Sequence, residues 1–476
     1  MQLTGRRLRL SKDTGPNPWR LLVWIGLITT GLVIVWFRQT GRIQPLFLPP
    51  PTPTRTSFSF ADEGQTLFLA GDLNGAIAAF RSAVRVDPGN GQLWAQLARI
   101  QTYSSALLTN ADARRVRLEE ARDSIEQGTT VDPESSFVQA IRALVFDWSA
   151  SAEDLNDPEN LRNEYLAEAK SAAVRALGLD PGDPLALAFH AEVLLDEQSF
   201  QQARDLAAAA ITAAEAEGPG YPYRMDIHRV NGTVLEGYGY YGDAILEYLQ
   251  ALEDAPNLTF LYLRIGANYR QVRDIEKALE FFATAARINE QLGIQDPTPF
   301  LAIGRTYLQQ GEFFIAARNV ERALAISPDT GDIYGRLGIV FFKARNYESA
   351  VKVLGCAVDG CPAEQSREIL CEFVYGCDPE SEEALAYGVD VQGVDLRDDT
   401  LEYYYTYGAV LAYFRNTAEV PEACARAERV FQALMAVYAE DPVVAGIVAE
   451  SRSLCASPAQ APGLPATSTP ELTPGS

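Results

Sequence analysis

Apolar and small residues recur along residues 57–362 in one arrangement, seen most plainly as Tyr262, Gly266 and Tyr269 followed by Ala278, Phe282 and Ala285. Steps of four and three place each trio on one face of an α-helix, so the pattern predicts two amphipathic helices per unit joined by a short polar turn. The same grammar appears at Phe60, Gly64, Leu67, Ala76, Phe80, Ala83 and Pro88, and at His228, Gly232, Leu235, Ala244, Tyr248, Ala251 and Pro256. It continues through Phe300, Ile303, Gly304, Tyr307, Ala316, Val320, Ala323 and Pro328, then Tyr334, Leu337, Gly338, Phe341, Ala350, Leu354, Ala357 and Pro362. Each proline lacks an N–H and fixes φ, which ends the second helix. Weaker copies fill residues 94–210, and a degenerate one holds Tyr404, Gly408 and Leu411.

The last two of those prolines stand 34 residues apart, one full period. A lone hairpin cannot bury its apolar face, so units of this size stack on their neighbours. In period and internal spacing the chain resembles the tetratricopeptide repeat family over about residues 57–450, with about nine copies. The resemblance implies an all-α, right-handed superhelical solenoid whose concave wall, made of the first helix of each repeat, receives a peptide or a partner's helix. Insertions around 102–120 and 147–168 and an irregular stretch at 363–400 depart from the pattern.

Ahead of the repeats, residues 21–37 form an uncharged apolar run, bracketed by Arg20 and Arg38 and set with Trp19, Trp24 and Trp36 near its ends. Its length and its interfacial tryptophans and arginines predict a transmembrane helix. Five basic residues precede it and only Arg38 and Arg42 follow closely, so the positive-inside bias places residues 1–20 in the cytoplasm and the body outside. The run exceeds the apolar core of a cleaved signal peptide and no small-x-small site follows, so the anchor is expected to be retained. Residues 38–56 read as a proline-rich spacer.

Charge then narrows the choice of partner. Residues 1–42 carry +6, so the remainder carries −29 against a net −23. Such an acidic body repels phosphate backbones, which argues against nucleic acid and for protein or peptide partners. Catalytic chemistry has little to rest on. There are two histidines, His190 and His228, both at first-helix positions, and no glycine-rich phosphate loop, HExxH or GxSxG. Carboxylate pairs such as Glu119 with Glu120 and Glu382 with Glu383 read as solvated helix faces. No enzyme activity, cofactor or metal is expected.

All six cysteines, Cys356, Cys361, Cys371, Cys377, Cys424 and Cys455, lie in residues 363–455 or just before them. Their even number and the absence of CxxC pairs favour disulfides over zinc, with Cys424 and Cys455 the leading pair because they sit on successive helices. A region so stapled would cap the unpartnered end of the stack. Residues 456–476, rich in Pro, Ser and Thr, read as a disordered tail. Of the sequons at Asn231 and Asn257, the first falls inside an expected helix and is not expected to be modified.

The family's geometry implies which first-helix positions border the groove. In four successive repeats they hold Arg229, Arg264, Arg270, Arg305, Arg336 and Lys343. Arginine forks bind carboxylates at two points, so an acidic segment or a C-terminal carboxylate is the implied ligand class. The competing reading pairs these side chains with acids such as Glu236 and Asp332. The family's carboxylate-clamp members combine asparagines with the basic residues, and that full set is not found here, which argues against a chaperone-tail ligand. The function expected is a membrane-anchored interaction scaffold, the alternative being an accessory subunit of an envelope enzyme or of a secretion or assembly machine.

Overall fold

The computed structural model describes residues 17–39, 55–108, 111–153, 161–415, 417 and 420–457. The basic segment up to residue 16, the proline-rich stretch 40–54 and the tail from 458 lie outside the described residues. Two units are distinguished, Met1–Thr56 and Ser57–Ser476. The first contains the helix Pro18–Gln39, whose residues 18–37 are long and apolar enough to cross a membrane, with Trp19, Trp24 and Trp36 exposed. Twenty residues at about 1.5 Å each give about 30 Å, the thickness of a bilayer's hydrocarbon core.

The second unit is an all-helical solenoid. Eight consecutive hairpins run from Ser57–Leu69 with Leu73–Val86 to Gly331–Lys343 with Tyr347–Val358, and a ninth pairs Leu401–Tyr413 with Ala423–Val437. A final helix, Pro442–Ala456, covers the end. The stretches read as insertions are absorbed mainly as helix: the second helices of the second and third hairpins lengthen to Ala111–Val131 and Leu161–Leu179. Only part of 363–400 is irregular. It holds the helix Ala363–Leu370 and a loop that returns to bridge Cys361 with Val391.

Local chemistry starts and stops these helices. Asp72, Asn90, Ser135, Asp183, Asp274 and Asn346 cap helix N-termini by accepting backbone N–H bonds with their side chains. The turn inside a hairpin places one residue in the left-handed region, Gly71, Gly239 and Gly311 in three cases but Gln198, Arg273 and Arg345 in others. The glycine- and tyrosine-rich run at residues 237–243, GYGYYGD, thus serves such a turn. At the junction between hairpins, Trp94, Tyr262 and Tyr334 each donate to the carbonyl of the proline six residues earlier, at 3.0, 2.7 and 2.8 Å. That bond gives a physical reason for a polar-tipped aromatic at the start of a first helix.

Inside the hairpins, a glycine on the first helix meets a large side chain sixteen residues on. A Cβ added at Gly64, Gly232, Gly266 or Gly338 would lie 2.5–2.8 Å from Phe80, Tyr248, Phe282 or Leu354. Absence of the Cβ lets the paired helices close on that side chain, and the sign of a Gly→Ala substitution therefore depends on position. Gly266→Ala is expected to destabilise by about 1–3 kcal/mol despite its better helix propensity. Gly446→Ala, where nothing lies within 4 Å, should stabilise by about 0.5–1 kcal/mol. Urea unfolding of the two variants, side by side, checks the opposite signs.

Candidate functional site

The inner wall of the solenoid differs between its halves. In the first half the wall is closed by contacts between distant repeats. Arg99, on Gly91–Ser105, donates through Nε to Asp226 Oδ1 at 2.9 Å and through Nη2 to Oδ2 at 2.5 Å, across 127 positions of sequence. The Tyr103 hydroxyl donates to the same carboxylate, and the Tyr103 ring lies 5.6 Å from that of Phe260. Gln96 donates to the Tyr223 hydroxyl at 2.6 Å, and a Cβ on Gly71 would strike Asn257 and Leu292. The first two hairpins therefore abut the fifth and sixth, and the superhelix completes a turn against itself.

Arg99 and Asp226 are 1% and 0% exposed. Burial alone would depress the Arg99 guanidinium, but the Asp226 carboxylate and Tyr103 hold it above its ordinary value. A second buried pair sits beside the first: Arg229 reaches both oxygens of Glu192 at 2.6 Å, and Trp148 Nε1 donates to Glu192 at 3.2 Å. Arg229, placed on an open groove by family geometry, is thus withdrawn into the core, because a carboxylate from the preceding repeat takes both of its terminal nitrogens.

Next to this pair lies a cavity of about 450 Å³, lined mainly by first-helix residues of the second to sixth hairpins together with Arg114 and Leu118 of Ala111–Val131. Asp147 and Asp196 face it. Burial raises both carboxyls above the ordinary range, and neighbouring acids raise them further, Asp196 and Glu192 for Asp147 and Glu192 for Asp196. Neither acid could be singled out from the sequence, since each resembles the solvated carboxylates that abound here.

The second half of the wall carries the other basic residues. Arg264 stands 3.4 Å from Glu236 and donates to the Tyr248 hydroxyl at 3.3 Å. Arg336 pairs with Asp332 at 2.7 Å and Lys343 with Glu402 at 3.1 Å. Arg270 and Arg305 differ from these. Among the described residues neither has a carboxylate partner, and Arg270 Nη1 is buried without an acceptor. Burial, then the nearby Arg305 charge, lowers the Arg270 guanidinium below its ordinary value. Arg305 and Arg336 also line one depression of about 330 Å³ with Leu301, Leu308 and Ile339.

The two histidines are not part of either wall's chemistry. His228 Nδ1 lies 2.7 Å from Glu247 on the partner helix of its hairpin, and burial lowers His190. No three His, Cys, Asp or Glu side chains converge to hold a metal ion among the described residues. At the C-terminal end the cysteines join as Cys356–Cys361, Cys371–Cys377 and Cys424–Cys455, with Cα separations of 4.8, 4.6 and 5.8 Å.

The family model described as Tetratricopeptide repeat matches residues 301–362. No curated protein matches the sequence. Among solved structures the chain is similar to a thermophilic tetratricopeptide-repeat protein of Thermus thermophilus, at 16% identity over 45% of this chain and 98% of that one, with a TM-score of 0.35. It is also similar to the C-terminal part of a tetratricopeptide repeat-containing protein from Cytophaga hutchinsonii, at 13% identity over 60% and 95%, with a TM-score of 0.39.

Proposed function

We propose that this chain, whose residues 301–362 match the tetratricopeptide repeat model, is a membrane-tethered scaffold of that repeat whose second-half wall holds an acidic segment of a partner protein. One observation carries the ligand class: Arg270 and Arg305 are neighbouring cations on that wall, and neither is paired with a carboxylate among the described residues. Two like charges so placed repel each other, and an incoming carboxylate relieves the repulsion while satisfying the open guanidinium donors. Beside Arg305 the surface continues with the apolar Leu301, Leu308 and Ile339, with Arg336, already paired with Asp332, and with the carboxylates Asp399 and Glu402 at its edge. Arg229, Arg264 and Lys343 take a supporting part, as their charges already have protein partners.

The tether in this reading is the Pro18–Gln39 helix, and the arginine asymmetry around it places the solenoid outside the cytoplasm. Three disulfides within bridging distance support an oxidising compartment on that side. The fold generally binds proteins, and we read the chain as a non-enzymatic member that takes proteins or peptides rather than nucleic acid.

The test is binding of a fluorescent octaglutamate peptide with a free C-terminus to the full chain in detergent. Wild type should bind with an affinity that falls as salt rises, and Arg270→Glu/Arg305→Glu should bind at least tenfold more weakly. Arg345→Glu, at an exposed hairpin turn, should bind like wild type. Equal binding by wild type and the double variant would remove the acidic-ligand reading and leave the scaffold without an assigned groove.

A further inference from the structure

A different observation concerns the cavity in the first half. Asp147 is 2% exposed, its Oδ1 is buried without a hydrogen-bond partner, and it faces the cavity. A carboxylate in that state is unfavourable unless something donates to it. The charged side chains around it do not. Arg229 gives both terminal nitrogens to Glu192, and Arg162 donates to the Ala150 carbonyl at 3.4 Å. Across the cavity Arg114 donates to the Leu108 carbonyl at 3.0 Å, and Arg264 is engaged by Tyr248 and Glu236. Asp196, which also faces the cavity, accepts from the Ser151 hydroxyl at 2.8 Å.

We propose that this cavity is a binding site for a primary ammonium group on an aliphatic stem, the ammonium donating to Asp147 and Asp196. The shape and lining select that chemistry. A metal ion needs three or more converging ligands, which the described residues do not provide. An ammonium has three donors, enough for two carboxylates and one further acceptor, and its stem would lie along Leu118, Phe260 and Leu263. At about 450 Å³ the space is of small-ligand size and far larger than one water requires. The group could belong to a lysine side chain of a partner segment or to a free aliphatic diamine, since both present the same atoms. This site shares Arg264 with the edge of the basic wall but not Arg270 or Arg305, and its test uses no acidic peptide.

Isothermal titration of the full chain in detergent with Nα-acetyl-lysine methylamide, with 1,5-diaminopentane and with 1-pentanol decides the matter. Saturable binding of at least one amine, with none by pentanol, is expected. Asp147→Asn, which keeps size and shape, should weaken that binding at least tenfold, the loss of one charge-assisted hydrogen bond. Asp196→Asn should weaken it less, because Ser151 already holds that carboxylate. Tighter binding of the lysine derivative would point to a partner side chain as the source, and tighter binding of the diamine to a free amine. Failure of both amines to bind wild type overturns the proposal. So does equal binding by wild type and a folded Asp147→Asn, or, should that variant not fold, by wild type and Asp196→Asn.

Discussion

An Asp226→Ala chain is expected to lose about 3–5 kcal/mol of stability, the cost of breaking a buried ion pair from one side. The substitution would strand Arg99, which is 1% exposed, and would also remove the acceptor of the Tyr103 hydroxyl. Replacing both partners, as in Arg99→Met/Asp226→Leu, should cost far less, because it removes the desolvated charges together. The location of the damage matters as much as its size. In an open solenoid each repeat feels only its neighbours, but here the pair joins the second hairpin to the fifth. Hydrogen exchange should therefore rise in Asp226→Ala both at Gly91–Ser105 and at Arg224–Gly237, with urea unfolding giving the magnitude. A loss under about 1 kcal/mol, or one confined to the fifth hairpin, would show that the closed turn does not couple these repeats.

Cys424→Ser/Cys455→Ser carries the next largest expectation, about 3–4 kcal/mol by loop-closure entropy for a bridge spanning 31 positions. The other two bridges close loops of 5 and 6 positions and constrain the unfolded chain less. Without Cys424–Cys455, the last helix is held by apolar packing of Val444 and Val448 and by the Arg452–Glu428 ion pair at 2.8 Å. That pair is substantially exposed and therefore worth little. Hydrogen exchange protection should fall first across Pro442–Ala456 and next across the ninth hairpin, leaving the first six hairpins as they were. Uniform loss through the whole solenoid would contradict a nearest-neighbour cap. Thiol titration of unreduced wild type is expected to find no free cysteine, and six free thiols would withdraw the oxidising compartment together with this prediction.

The basic wall shows how far first-helix positions carry. Counting along each helix identifies Arg270, Arg305 and Arg336 as neighbours on one surface, because adjacent repeats repeat the same geometry. It cannot separate Arg336, which has Asp332 four residues away on its own helix, from Arg305, which has no such acid. The competing acids named from the sequence, Asp332 and Glu236, do pair with Arg336 and Arg264. For Arg229 no local signal exists, since Glu192 is 37 positions away and belongs to another repeat.

What the sequence determined by itself is the part of the protein whose physics is local. Spacings of three and four set the helices, glycine sixteen residues before a larger side chain sets how the first, fifth, sixth, seventh and eighth hairpins close, and capping residues and prolines set where helices begin and end. An uncharged run of apolar residues between arginines likewise specifies a helix long enough for a bilayer. Only the tertiary structure decided where the superhelix meets itself. That depends on the sum of small rotations from one hairpin to the next, altered by the lengthened helices of the second and third, and no window of sequence contains that sum. Closure is what carries Arg99 to Asp226 across 127 positions, while Glu192 of the preceding repeat withdraws Arg229 and packing of several repeats leaves Asp147 facing a cavity, because burial and partnership are properties of neighbours that no single stretch of sequence contains.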